Sequence, residues 1–244
     1  MKRVYVAAAP IPGEILELPE AASLHLAKVM RARSGDALVL FTGDGREFAA
    51  TVEGVRGSRV RAAVGEARTV DRESPLRITL TQCLARGERM DLIVQKATEL
   101  GAARIIPVLS RRSVVRLDAA QARAKAAHWR AIAVSACEQC GRNRLPVVES
   151  PRPLSEHLSA PAAAGCRLLL EPEPGPGAKD HRIDGSVEIV IGPEGGFDPE
   201  ELEAFRVCGF TTLTLGPRVL RTETAALAAL VWLQTRHGDL RAGV

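Results

Sequence analysis

Two stretches carry residue types that could do chemistry without a cluster of nucleophiles. One is Gly192-Pro193-Glu194-Gly195-Gly196; the other runs from Gly216 through Arg221 and Thr222 to Glu223. Glycine has no Cβ, so the backbone N–H groups of such a loop can come close to a ligand. Pro193 fixes one φ angle and stiffens the turn. Glu194, Arg221 and Glu223 put charge at the turns. Either loop alone reads as an ordinary strand-to-helix turn, but the two together read as the walls of a ligand site.

The flanking elements must position them. Apolar runs at 187–191 and 211–215 read as strands, each stopping at a Gly-Pro pair. Asp198, Pro199 and Glu201 predict a helix start with Asp as N-cap, Pro at the first position and Glu closing a capping box. That helix should stop near Gly209. Thr222 is the expected N-cap of the last helix. That helix, 222–236, is apolar almost all round and must be buried, either inside the fold or between two subunits.

The rest of the chain falls into two patterns. Residues 1–70 show short strands at 3–6, 37–41, 47–55 and 59–64, a helix at 20–30, and a hairpin signal at Thr42-Gly43-Asp44-Gly45. This pitch predicts a small β-barrel. A polar linker, 70–75, ends in proline. From 76 on, strands (76–84, 104–109, 145–148, 167–170) alternate with helices (88–100, with Gly101 as its stop, and an Ala-rich one from Asp118 to Cys140). Alternation of this kind predicts a parallel sheet with helices on both faces. In such sheets ligands bind beyond the carboxyl ends of the strands, where these loops lie. The segment EPEPGPGAKD (171–180) suits no regular element.

Composition sets bounds. The chain has 244 residues, enough for one large domain or two small ones. It is 46% hydrophobic and 25% charged, as globular proteins are, but only 3% aromatic, so its core must rest on aliphatic side chains. The absence of an 18-residue apolar run argues against a membrane span. The N-terminal apolar stretch is too short for a secretory signal, so a cytoplasmic location is expected. Five cysteines are not a disulfide framework. Cys137 and Cys140 form a CxxC in a helical stretch with no second metal-spaced pair, which favours free thiols over a redox or zinc role; no metal site is expected. The net charge of +4 says little. Its distribution says more: 104–144 holds nine basic residues against Asp118 and Glu138 alone. That excess suits either a nucleic-acid backbone or a solvated helix face.

The familiar nucleotide motifs are missing, with neither GxxxxGK[ST] nor an early GxGxxG. Glu194 stands where a phosphate binder would carry lysine. An acid there disfavours polyphosphate and tolerates a cation, as in S-adenosylmethionine, which has a sulfonium, an ammonium and no phosphate. The histidines are scattered and no GxSxG occurs, so a hydrolase triad is unsupported.

The phrases IGPEGGF (191–197) and LGPRVLRTETA (215–225) resemble signature motifs of SPOUT methyltransferases. With HLAKVMRARSGD (25–36), QKATELGAARIIPVLSRRSV (95–114) and EQCGRNRLP (138–146), the chain resembles the RsmE family nearly end to end. That family methylates N3 of a uridine in 16S ribosomal RNA, in the decoding region of the 30S subunit. The resemblance implies a PUA-like RNA-binding barrel at 1–70 and an α/β domain with a trefoil knot at 76–244, acting as a homodimer with S-adenosylmethionine. It implies a cofactor pocket from Leu170 and Glu171, from Gly192, Pro193, Glu194, Gly195 and Gly196, and from Leu215, Gly216, Leu220, Arg221, Thr222, Glu223, Thr224 and Ala225. A cation should stabilise charge on the uracil, Arg221 first and Arg142 second, with Glu138 or Glu194 as base or orienter. Arg3, Arg31, Arg33, Arg111, Arg112, Arg142 and Arg144 are expected on the RNA. Met30 and Val219 depart conservatively from the pattern. The rival readings are a SPOUT enzyme for another position, such as a ribose 2′-O of tRNA, and a non-catalytic RNA-binding assembly protein. Intact loops argue against the second, and the PUA-like front and the EQCGRNR phrase against the first.

Overall fold

The computed structural model describes residues 2–113, 115–161, 164–173 and 183–241. The chain divides into two units, one of residues 1–73 with 137–145, the other of 74–136 with 146–244. The first grows from hairpins. β3 (Ala37–Phe41) turns through Gly43 and Gly45, both at positive φ, into β4 (Arg46–Arg56), and Gly57 turns β4 into β5 (Arg59–Thr69). Together with β1 (Lys2–Tyr5) and β2 (Ile15–Glu17) they form a five-stranded sheet of order β1-β3-β4-β5-β2. Alternate residues Phe48, Ala50 and Val52 of β4 point inward against Val4, Leu26, Leu40 and Val60. The helix expected at 20–30 changes character partway. α1 (Glu20–Leu24) passes into a π-helical turn (His25–Val29) capped by Met30, and Arg31 follows as the one non-glycine residue at positive φ among those described. The wider turn keeps Leu26 in the core.

The segment Cys137–Leu145, expected in the C-terminal domain, groups with this first unit for a visible reason. Glu138 Oε1 accepts from the Tyr5 backbone N–H at 3.0 Å. Asn143 donates to Glu47 and to the Val70 carbonyl, both at 3.0 Å.

The second unit is a parallel sheet. Its strands are β6 (Arg77–Cys83), β7 (Ala102–Leu109), β8 (Val147–Val148), β9 (Arg152–Pro153), β10 (Cys166–Leu170), β11 (Ser186–Ile191) and β12 (Thr211–Leu213). The order is β12-β10-β11-β6-β7-β8, with β9 also paired to β7. One face packs on α2 (Arg89–Glu99), α3 (Ala119–Cys140) and α6 (Thr222–His237) through Ile78, Leu80, Ile93, Trp129, Ile189 and Leu230. The other packs on α4 (Leu154–Ser159), which the sequence reading missed, and α5 (Pro199–Val207). There Phe205 meets Phe197 and Phe210 edge-on at 4.9 and 5.1 Å. Alanines 225, 226 and 229 and Leu233 of α6 are buried within this unit, while Val231 is left outside. α3 starts as expected: Asp118 accepts from the Gln121 N–H, and the Gln121 side-chain oxygen accepts from the Asp118 N–H. Residues 174–180 of the Pro-rich segment lie outside the described residues. Among the described residues no helix is long and apolar enough to cross a membrane.

One buried polar network crosses the α4/α5 face. Arg152 donates to His157 Nδ1 at 3.1 Å, and arginine can only donate. His157 Nε2 therefore carries the proton directed at Glu188 Oε1, 2.6 Å away. Thr81 donates to the same oxygen at 2.8 Å, and Arg167 reaches the other at 3.3 Å while stacking on Phe210. Burial alone would raise the Glu188 carboxyl, but these partners outweigh it and hold it below its ordinary value. The stabilisation from a depressed carboxylate is complete above its unfolded pKa and is lost as pH falls through the folded one. Glu188→Ala should cost about 3–5 kcal/mol in urea unfolding at pH 7, since it leaves Arg167 uncompensated. The gap to wild type should close as pH falls below the usual carboxylate range. A loss under about 1 kcal/mol would mean an exposed-type pair.

Candidate active site

β12, β10 and β11 are adjacent, so the three loops leaving their carboxyl ends are neighbours. The glycine loop after β11 closes with Gly196 N–H bonded to the Pro193 carbonyl at 3.0 Å, and Gly196 takes φ +66°, which other residues adopt only under strain. It then enters α5 through the expected capping box: Asp198 accepts from Glu201 N–H, Glu201 accepts from Asp198 N–H, and Pro199 holds the first turn. At Gly192 a Cβ would come to 3.0 Å from the Phe197 ring, so any larger residue would have to push that ring aside.

The second glycine stretch is tied to the first by a buried clasp. Gln82, at the end of β6, donates from Nε2 to the Cys83 carbonyl and to Thr222 Oγ1, both at 2.9 Å. Thr222 donates in turn to the Gly192 carbonyl at 2.8 Å. Thr222 was expected to cap α6. Instead it is the first residue of that helix, Arg221 holds the cap position, and the threonine hydroxyl joins the two loops.

These loops enclose a cavity of about 570 Å³. From the expected set it is lined by Leu170, Glu171, Gly192, Pro193, Glu194, Gly196, Leu215, Leu220, Arg221, Thr222 and Ala225. Four others stand back from the wall. The Gly195 carbonyl accepts from Arg112, Gly216 turns the chain at φ +71°, Glu223 faces Arg89 across 3.8 Å, and Thr224 is exposed. The cavity also takes in Arg89, Pro172, Ile191, Phe197, Arg218 and Val219, which were not in the expected pocket set. Arg89 had a signal: it is a cation in the first turn of a helix, where the helix dipole disfavours one.

Charge on the walls is uneven. Burial raises the Glu171 carboxyl above its ordinary value, and it forms no ion pair among the described residues. Burial acts on Glu194 too, but backbone N–H groups and Arg89 outweigh it and keep that carboxylate ionised. Arg218 and Arg221 are exposed and form no ion pair among the described residues. The site thus offers one desolvated carboxylate, a backbone-rich apolar wall and two open guanidinium groups.

Other expected site residues have structural partners. Arg142 is 5% exposed and makes a bidentate pair with Glu73, its Nε–Oε1 contact at 3.0 Å. Glu138, raised by burial against the Tyr5 N–H bond, serves strand β1. Both belong to the first unit, and neither is among the residues that line the cavity. Arg3 has structural partners as well: only 9% of its side-chain surface is exposed, and it pairs with Glu47 at 3.1 Å and Asn143 at 2.5 Å. Arg111 is exposed but spans Asp198 and Glu200. Arg112 reaches the Gly195 carbonyl at 3.1 Å. Arg31, Arg33 and Arg144 are exposed. The Cys137 thiol is raised by its hydrogen bond with Cys140 and by burial, so it is no thiolate.

This geometry can be set beside known proteins. An RNA methyltransferase domain matches residues 72–234, and an RNA methyltransferase PUA domain matches residues 18–64. The ribosomal RNA small subunit methyltransferase E of Bacillus subtilis is 34% identical over 219 residues, 84% of each chain. That of Mycobacterium bovis is 35% identical over 235 residues, 93% of this chain and 88% of the relative. Among solved structures, the Neisseria gonorrhoeae ribosomal RNA small subunit methyltransferase E bound to S-adenosyl methionine superposes with a TM-score of 0.92 at 38% identity, over 99% of this chain and all of that one. A putative methyltransferase from Legionella pneumophila, in complex with the cofactor SAM, gives 0.93 at 41% identity over 98% of each chain. Matching both domains in sequence and superposing along its whole length, the chain belongs to the ribosomal RNA small subunit methyltransferase E family.

Proposed function

We propose that this protein transfers a methyl group from S-adenosylmethionine to N3 of a uridine in the 16S ribosomal RNA of the 30S subunit. The observation that carries the reading is the cavity walled by three adjacent strand-end loops, in a chain whose solved relatives hold that ligand. The walls suit it. They are largely backbone and aliphatic, as an adenine needs. They also carry in Glu171 a carboxylate with no ion pair among the described residues, which favours a cation and repels phosphate.

Bound there, S-adenosylmethionine supplies an electrophilic methyl group on a cationic sulfur. Residues of this chain do the rest. The loops fix the donor so that the base can approach in line, which removes much of the entropic barrier. Uracil N3 is a poor nucleophile until its proton passes to solvent water, and the negative charge then spreads over the ring oxygens; as the N3–methyl bond forms, the methyl–sulfur bond breaks and S-adenosylhomocysteine leaves. Arg221, an open guanidinium on the cavity wall, is the group to stabilise that charge. Glu194 is not needed as a base, since Arg89 already holds it. The first unit, with Arg31, Arg33 and Arg144 exposed, is the RNA-holding domain in this reading, and the second, with the family's knotted threading, is the catalytic one. A second copy would cover Val219 and Val231, which stand exposed in the catalytic unit.

Two experiments test this. In calorimetry the protein should bind S-adenosylmethionine and S-adenosylhomocysteine but not NAD or ATP. Glu171→Gln should weaken the methyl donor about tenfold, roughly 1.4 kcal/mol, and its uncharged-sulfur product much less. Because Glu171 attracts a cation only when ionised and its carboxyl is raised, donor affinity of wild type should fall as pH drops towards the upper edge of the carboxylate range. The Gln variant should be flat there. Equal loss for both ligands would remove Glu171 from charge recognition. Second, Arg221→Ala should keep its fold and its donor affinity while losing about 10²–10³ in methyl transfer to unmodified 30S subunits. Unchanged turnover would take Arg221 out of the chemistry.

A further inference from the structure

Three carboxylates belong to the cavity region, and two of them share one cation. Arg89, first residue of α2, donates from Nη1 to Glu194 Oε1 of the glycine loop at 2.6 Å. Its Nε lies 3.8 Å from Glu223 Oε1, in the first turn of α6. Glu194 Oε1 also accepts from the Arg86 backbone N–H at 3.4 Å. The other Glu223 oxygen is buried without a hydrogen-bond partner, so Arg89 is the cation nearest this carboxylate among the described residues. A positive charge at the start of α2 opposes that helix's own dipole. The position makes sense only through what Arg89 reaches outside its helix: the loop after β11 on one side and the helix after β12 on the other.

We propose that Arg89 is a positioning residue for the donor site, a brace that holds the glycine loop and the start of the last helix in binding geometry before ligand arrives. It shares its single charge between Glu194 at 2.6 Å and Glu223 at 3.8 Å, so the three groups together keep one net negative charge, while Glu171 forms no ion pair among the described residues. The Gln82–Thr222–Gly192 clasp joins the same two walls from below by neutral hydrogen bonds, so the brace acts on the exposed side of the loop. Its role in ligand binding rests on the methyl-donor reading above; its role in ordering the loop does not.

The experiment therefore has two arms, on the full chain as wild type, Arg89→Ala, Arg89→Lys, Glu194→Gln and the Arg89→Ala/Glu194→Gln double variant. In hydrogen exchange without ligand, Arg89→Ala should speed exchange of the amides at 194–197 and 223–225 several-fold and leave the first unit's β4 and β5 unchanged. In calorimetry with S-adenosylmethionine, the side chains' one-third exposure puts the pair at the low end of charged hydrogen bonds, so each single loss should weaken binding about fivefold to tenfold. The double variant should be no weaker than either single one, and Arg89→Lys should recover part of the loss. The melting temperature should move little in any of them. Unchanged exchange in the loop overturns the brace whatever the ligand is. Wild-type affinity in Arg89→Ala, or additive losses in the double variant, overturns its role in binding. Failure of the wild-type protein to bind S-adenosylmethionine overturns the methyl-donor reading, while the exchange arm still decides the brace.

Discussion

In a parallel sheet every strand ends on the same edge, and the order β12-β10-β11 puts three ends in a row on that edge. The arrangement depends on burial of both sheet faces, by α2, α3 and α6 on one side and α4 and α5 on the other. Given that, a loop leaving each strand must border the loops of its neighbours, and a cavity forms where they part. The loops need not be rigid by themselves. They are held from beneath by Gln82 and Thr222, which convert two independent turns into one wall.

Charge in this chain divides between groups that hold structure and groups that remain open. Glu188 and Arg167 belong to the first kind, deep in the sheet and satisfied on every side. So do Arg3 with Glu47 and Arg142 with Glu73 in the first unit. Glu171, Arg218 and Arg221 are of the second kind, and all three face the cavity. A pocket that sets the desolvated Glu171 near guanidinium groups with no ion pair among the described residues suits a cationic donor and a substrate that becomes anionic in reaction.

Much of this could be read from residue types. The capping box at Asp198, the stop at Gly101 and the hairpin at Gly43–Gly45 are local rules, and local rules act over a few residues. The pocket walls were legible because glycine and proline mark where a chain must turn sharply. What sequence could not supply was pairing over distance. Arg142 and Glu73 are 69 residues apart, and Arg89 and Glu194 are 105 apart. Counting arginines in 104–144 therefore overstated the free positive charge. The same limit explains the role expected of Arg3, whose partner Glu47 lies on another strand. α4 escaped notice because six residues are too few for a periodic signal. The π-helical turn at His25–Val29 escaped because its sequence is helical in either register.

The claim on which the account turns is that these loops deliver a methyl group to one base of the small-subunit RNA. Nucleoside mass spectrometry of 16S ribosomal RNA, from cells with and without the gene, reads it directly. The account predicts that 3-methyluridine disappears from a single position in the deletion strain and returns with the wild-type gene, but not with the Arg221→Ala variant. Full retention of 3-methyluridine in the deletion strain, or loss of a ribose 2′-O-methyl group in its place, would contradict it.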